Sequence, residues 1–449
     1  MFLPIALLLL STGLDVRRYS ARLELKADAL EGAVELQLAT PAPDVRLSAF
    51  GMEIRGVTCG DRAIAFEHRQ DELRFDSGAA TRCSIEYRAA PATYTVFHTG
   101  TWMPSNPSIS DRAAFELHMP DAIAFGTGGN EFPAYLLGYA SGKFTEVAID
   151  PIIKIHATSL RAEQLAQAFR DTPAMMKFFA ERAGIPYPLP SYDQVVIDGA
   201  PPQELAGGTL LSTNYVKAVL DNPAEDYLIA HELAHQWWGN LVTAKDWSEF
   251  WLHEGLATYM VAAWKAHRWS QEAYDREIAL ASQRMRKAWQ SKQVPLVTPE
   301  APTVDRALIY SRGALVLHLL QRRLGSEKFW NGLAAYTKAG RAKPVTTNDL
   351  AAAMKLPRFF EQWTQRAALP DVHVTHAVRG RNIRITLTQS EPLFELQLRL
   401  IARSVEGETS KTILFNTAKK TITMRAPKGE LASVAIDPND TVLGTFTYD

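Results

Sequence analysis

At 449 residues the chain is long enough for about three domains. Hydrophobic residues make up 47% and charged residues 22%, the balance of a globular protein rather than a disordered one. A net charge of −1 gives no electrostatic case for nucleic acid or an anionic membrane surface as partner.

Residues Met1–Leu10 (MFLPIALLLL) are almost wholly apolar and are followed by Ser11-Thr12-Gly13. The run is too short to span a bilayer, so no stable membrane insertion is expected. It suits the apolar core of an export signal over residues 1–13. No Lys or Arg precedes it and no A-x-A site follows, so a buried N-terminal strand or a misassigned start remain alternatives. Residues 14–150 read as a β-sheet domain: Ala21–Leu25, Ala33–Leu38, Cys83–Tyr87 and Ala114–Met119 alternate, with turn residues between them. The two cysteines, Cys59 and Cys83, both lie here. Export would favour a disulfide between them, and two separately buried thiols are the other reading.

The character changes after Pro151. Leu160–Gly184 is helix-like, with Pro173 splitting it. Tyr192–Asp198 and Gly207–Ser212 read as strands. Ala224–Gly239 reads as a helix, started by Asn222-Pro223 and stopped by Gly239. Trp247–Trp269 is the next, and further helices are expected around Gln271–Gln290, Arg312–Arg323, Glu327–Ala339, Asn348–Lys355 and Arg358–Ala367. Residues 151–369 thus form a mostly helical domain with a short sheet. Beyond Pro370, short alternating segments at about ten-residue spacing predict a β-sandwich over 370–449. The fold class is multidomain α+β.

The chemistry concentrates in His231-Glu232-Leu233-Ala234-His235. On a helix, residues four apart lie about 40° apart around the axis, so both imidazoles can bind one metal from one face. Glu232 between them can act as general base on a metal-bound water. Glu254 follows after an eighteen-residue gap, within Trp251-Leu252-His253-Glu254-Gly255, and a second helix could deliver it as third ligand. Two histidines and one carboxylate with an open fourth position make a catalytic zinc site, one Zn²⁺ per chain. Cobalt or manganese could occupy the same ligands in vitro.

The segments HELAHQWWGNLV (His231–Val242) and WSEFWLHEGLATY (Trp247–Tyr259) closely resemble the zinc-binding core of the gluzincin aminopeptidases, the family of aminopeptidase N and leukotriene hydrolase. The resemblance implies a thermolysin-like catalytic domain, one zinc, peptide substrates and hydrolysis at their N-termini. It also implies a short form, because the large C-terminal helical domain of many members is missing. Where many members have Asn before the ligand glutamate, this chain has His253, read either as a hydrogen-bond partner of the ligands or as a packing or solvent-facing histidine; Thr258, one helical turn after Glu254, could contact a ligand. Ile309-Tyr310-Ser311-Arg312-Gly313 is similar to the family's Tyr-x-Lys-Gly element, with Arg312 in place of Lys. That similarity gives Tyr310 the role of hydrogen-bond donor to the tetrahedral intermediate. In place of the family's Gly-x-Met-Glu-Asn strand stands Gln203-Glu204-Leu205, followed by Ala206-Gly207-Gly208. Glu204 then anchors the substrate amine, with Gly207 and Gly208 as further substrate-binding positions. Pro201-Pro202 departs from the pattern and removes backbone donors. No counterpart of the family's second amine-binding residue stands out in Thr99–Pro107. His98, His118, His156 and His318 read as packing or surface residues. The other readings are a zinc endopeptidase or specialised hydrolase on the same scaffold, and a catalytically weak peptide-binding protein.

Overall fold

Buried and exposed positions alternate along Val16–Leu25 and Arg82–Ala89, the pattern of strands with one face on a core. A computed structural model describes residues 13–95, 99–436 and 442–449. The expected export signal, apart from Gly13, and His98 lie outside the described residues. The chain is mixed α+β, with strands toward the N-terminus, helices in the middle and strands again at the end. It divides into two compact units: the described residues through Trp247 together with Thr337–Thr346, and Ser248–Tyr336 together with Thr347–Asp449. Among the described residues, no helix is long and apolar enough to cross a membrane.

The first unit opens with a seven-stranded sheet, in which Val16–Leu25 lies between Leu30–Leu38 and Arg112–His118. The pairing with Arg112–His118 is parallel. Cys59 and Cys83 face each other across Glu53–Cys59 and Arg82–Ala89 and are bonded, which decides between the two readings of the cysteines. A five-stranded sheet follows, in the order Thr145–Asp150, Ile153–Ala157, Tyr192–Ile197, Gly208–Ser212, Gln203–Leu205. Its middle pairings are parallel, and Gln203–Leu205 closes one edge antiparallel to Gly208–Ser212. Phe125, Val195, Leu205 and Leu210 form part of the core beneath that edge. Two helices, Ala162–Ala168 and Thr172–Ala183, occupy the helix-like Leu160–Gly184, divided near Pro173 as expected. Pro173 sits in the first turn of the second helix, where its missing N–H costs nothing.

The second unit carries the long helices Trp251–Arg268, Gln271–Ser291 and Tyr310–Leu324. The Trp251–Arg268 helix is buried along most of its length, with Trp251, Leu256, Tyr259 and Trp264 inside. The C-terminal strands form a four-stranded and a three-stranded sheet. Thr445–Tyr448 adds an unexpected parallel strand to Asp371–Arg379.

Candidate metal centre and substrate edge

The helix carrying His231 starts from an unusual cap. Asn222 Oδ1 accepts the Ala224 N–H at 3.1 Å and holds the single turn Pro223–Glu225. The Tyr215 hydroxyl then accepts the N–H groups of Leu228 and Ile229, at 3.0 and 3.2 Å, and donates to the Glu225 carbonyl. Two of the orphan donors of the first turn are thereby satisfied by one side chain. The helix runs over Tyr227–Ala234, shorter than the expected Ala224–Gly239. At its end the N–H groups of Gln236 and Trp237 reach back only three residues, to Leu233 and Ala234, and Gly239 turns the chain at φ +136°.

That tightened end delivers the Trp238 carbonyl to His235 Nδ1, at 3.1 Å. A carbonyl can only accept, so Nδ1 carries the proton, and a neutral ring keeps its lone pair on Nε2. Nε2 of His235 lies 3.1 Å from Nε2 of His231, with the rings nearly perpendicular. Two ring nitrogens this close share a proton or a cation, so the donor chemistry of the pair fits a nitrogen-binding divalent metal.

Glu232 is buried, as is Glu204 on the edge strand. One oxygen from each carboxylate and one ring nitrogen of His235 all lie within 4.8 Å of one another. Burial pushes the Tyr192 phenol well above its ordinary range, with Tyr187 and the negative charge of Glu232 adding to the effect.

The turn after Glu204 is held by side chains that the sequence reading passed over. Gln236 Nε2 donates to the Leu205 carbonyl at 3.0 Å, while its Oε1 accepts the Gly207 N–H at 3.0 Å. Asn240 Nδ2 donates to the same Leu205 carbonyl at 3.1 Å. Gly207 adopts φ +81°, and a Cβ at Gly208 would stand 2.4 Å from the Asp193 carbonyl oxygen and 2.3 Å from Phe125. Gly207 is therefore required by the turn itself, and Gly208 by the close approach of its strand to Asp193 and Phe125. The only sequence signal for Gln236 and Asn240 was their presence as polar residues within the apolar run after the histidines.

In the second unit, Glu254 lies buried in the first turn of Trp251–Arg268. That turn is fixed by Glu249, which accepts from the N–H and hydroxyl of Thr347, and by Trp251 Nε1, which donates to the Thr347 hydroxyl at 2.8 Å. The neighbouring His253 is buried with its ring edge-to-face on Phe250, and Thr258 is half-buried. One residue beyond Glu254, Gly255 meets Gly313 of the Tyr310–Leu324 helix. A Cβ on Gly255 would come within 2.8 Å of the Gly313 Cα. The crossing thus sets Glu254 and Tyr310, the first residue of its helix, near the same junction of two helices. Arg312 is fully buried and donates to the carbonyls of Val294, Trp363 and Arg366, with its guanidinium over the Trp289 ring. Burial lowers its pKa to about 10.

Of the other described histidines that the sequence singled out, each packs or faces solvent. His156 pairs with Asp193, His318 with the Tyr274 hydroxyl, and His118 is exposed. In Thr99–Pro107, Asn106 Nδ2 donates to the Leu14 carbonyl and to Asp111.

Residues 167–363 match the family model described as Peptidase family M1 domain. Aminopeptidase 2, mitochondrial, of Saccharomyces cerevisiae is 26% identical over 61% of this chain and 32% of its own length. Aminopeptidase M1 of Arabidopsis thaliana is 29% identical over 49% of the chain and 27% of its own. Endoplasmic reticulum aminopeptidase 2 of Homo sapiens is 30% identical over 44% and 22%. The chain spans about a third or less of the length of these curated relatives.

Proposed function

From the match of residues 167–363 to the Peptidase family M1 domain, we propose that the chain is a zinc-dependent aminopeptidase of that family. The observation that carries the reading is the imidazole pair of His231 and His235, with Nε2 atoms 3.1 Å apart and the second ring oriented by the Trp238 carbonyl. In this reading His231, His235 and Glu254 hold one Zn²⁺. Bound there, zinc supplies a Lewis acid that makes water nucleophilic near neutral pH. The chain's own residues do the rest. Glu232 accepts the proton of the attacking water and returns it to the leaving amine. The Tyr310 hydroxyl donates to the oxyanion as it forms.

Glu204 receives the substrate's N-terminal ammonium. Two buried carboxylates, Glu204 and Glu232, repel each other across the space that an ammonium would fill, so a free amine is favoured over a neutral blocked terminus. Holding the amine there fixes the register, so that only the first peptide bond is presented for cleavage. Gly207 in the turn and Gly208 at the start of the next strand support this anchor, and the edge strand offers backbone groups to an extended peptide. The disulfide between Cys59 and Cys83 suits an oxidising compartment, in keeping with the expected export signal.

Pro201-Pro202 ahead of the anchor strand favours a second reading, an endopeptidase that does not require a free amine. Rates on an aminoacyl fluorogenic substrate and its N-acetylated counterpart decide between them. The aminopeptidase reading expects a large preference for the free amine that collapses in Glu204→Ala. Equal cleavage of both by the unaltered protein overturns it.

A further inference from the structure

Asn240 stands where three separate parts of the first unit meet. Its N–H donates to the His235 carbonyl at 3.0 Å. Its side-chain Nδ2 donates to the Leu205 carbonyl on the edge strand. Its own carbonyl accepts from Arg112 Nη1 at 3.0 Å. Arg112 begins the strand Arg112–His118 of the seven-stranded sheet, 128 residues earlier in the chain. The same guanidinium donates to the Thr243 hydroxyl at 2.8 Å and to the Glu131 carbonyl at 2.7 Å, and it lies over the Phe132 ring. Gln236 supplies the second clamp, taking both the Leu205 carbonyl and the Gly207 N–H.

From this geometry we infer that Arg112, Asn240 and Gln236 form a bracket that positions the Glu204 strand against the histidine turn, and so sets how tightly and in what register the substrate amine is held. The inference rests on the aminopeptidase reading for the word amine. The bracket itself stands on the bonds above. None of the three touches a reacting atom, and all three act through Leu205, Gly207 and the His235 turn. The physical reason for a distinct role is directional. The bonds end on main-chain groups of the turn that directly follows Glu204, not on its carboxylate, so they fix its place without neutralising its charge. Arg112 is suited to this because its planar fork serves two acceptors on the Asn240–Thr243 loop and one on its own sheet at once.

The test uses the full zinc-loaded chain with Asn240→Ala, Gln236→Met, Arg112→Met and the conservative Arg112→Lys. Zinc content, kinetics on free-amine and N-acetylated substrates, and hydrogen exchange of a peptide covering residues 203–210 are read in each. In Asn240→Ala and Gln236→Met, zinc content is expected to stay unchanged. KM for the free-amine substrate should rise about tenfold with a smaller change in kcat, the loss expected for one or two buried hydrogen bonds acting on binding. Exchange at residues 203–210 should accelerate, Arg112→Met should follow, and Arg112→Lys should fall between it and the unaltered protein. Unaltered exchange in a folded, zinc-loaded Asn240→Ala overturns the bracket. Faster exchange at constant amine preference, or a fall in kcat at constant KM, overturns its role in holding the amine. Where Asn240→Ala does not fold, Gln236→Met and the two Arg112 variants carry the same comparisons. If the unaltered protein ignores the amine, the aminopeptidase reading fails and takes the amine-holding role with it, while the exchange arm still decides the bracket.

Discussion

In the first unit, the His231–His235 turn is framed by hydrogen bonds from side chains to main-chain groups: Gln236 and Asn240 on Leu205, His235 on the Trp238 carbonyl. In the second, the Glu254 helix also has hydrogen bonds to Thr347 at its first turn, but its crossing with the Tyr310–Leu324 helix is set by backbone on backbone, Gly255 against Gly313. The two regions should therefore fail differently. A hydrogen-bonded frame withstands small changes of volume and fails when polarity is removed. A glycine crossing has no polarity to lose and fails on the first added carbon. The residues to which the proposed function gives chemical roles should respond to substitution in rate, not in stability.

The largest expected effects are on turnover. Glu232→Gln should retain zinc and lose about 10³-fold in kcat, because the proton acceptor goes and the metal ligands stay. His235→Ala should lose the metal, as elemental analysis would read. A His235→Ala protein with full zinc content would remove the first unit's histidine pair from the site. Tyr310→Phe, from the other unit, should lower kcat by about 10²–10³ at a similar KM, the effect of one oxyanion donor. A rise in KM at constant kcat would give Tyr310 a binding role instead.

The residues in these first predictions stood out in the sequence as candidates, and the frames beneath them did not. The four-residue histidine spacing is local, and helical geometry converts it directly into a shared face. Glu254 and Tyr310 stood out through the segments around them. Gln236, Asn240 and Arg112 left no such trace. Their partners lie 31, 35 and 128 residues away, and a side-chain bond to a distant carbonyl has no period to read. The same limit explains the overlong Ala224–Gly239 helix. Pro223 and Gly239 mark where the chain turns, but the ladder itself starts late, under the Tyr215 cap, and ends early, where the bonds tighten to three residues. Thr445–Tyr448 was missed because four residues are too few to display an alternation.

Stability separates the frames more sharply. Gly255→Ala should destabilise the protein by about 2–3 kcal/mol, since the new Cβ meets backbone that has nowhere to move. Gly313→Ala should match it, with a Cβ 2.7 Å from the Gly255 Cα. Thermal unfolding would show the loss, and an unchanged melting temperature in both would mean the helices can slide apart freely. Arg312→Lys, which restores the residue type of the similar family element, should cost less, roughly 1–2 kcal/mol, because one ammonium replaces a fork that serves three carbonyls. Equal stability of Arg312→Lys would show that the fork is dispensable.

The smallest effect belongs to the strand that carries Arg112 and would appear as a pH dependence. Asp111, immediately before it, accepts from Asn106 Nδ2 at 2.9 Å and from the Val16 N–H. Burial nevertheless raises its pKa from 3.8 to about 7, with Asp15 adding to the rise and Arg17 opposing it. The folded protein then holds a proton that the unfolded chain has already released. Its contribution to stability is complete below about pH 4 and is lost as pH rises through about 7. The change should be about 1–2 kcal/mol, less than the full linkage value, because the carboxyl is not wholly buried and its two donors favour the charged form. Asp111→Asn keeps an acceptor for the Val16 N–H and cannot titrate, so urea unfolding of the variant should lose this slope between pH 4 and 7. A slope that persists in Asp111→Asn would assign the titration to another group. If the slope is present and Arg112→Met exposes residues 203–210 more strongly at pH 8 than at pH 5, then ionisation of Asp111 loosens the same strand that Arg112 uses to hold Asn240.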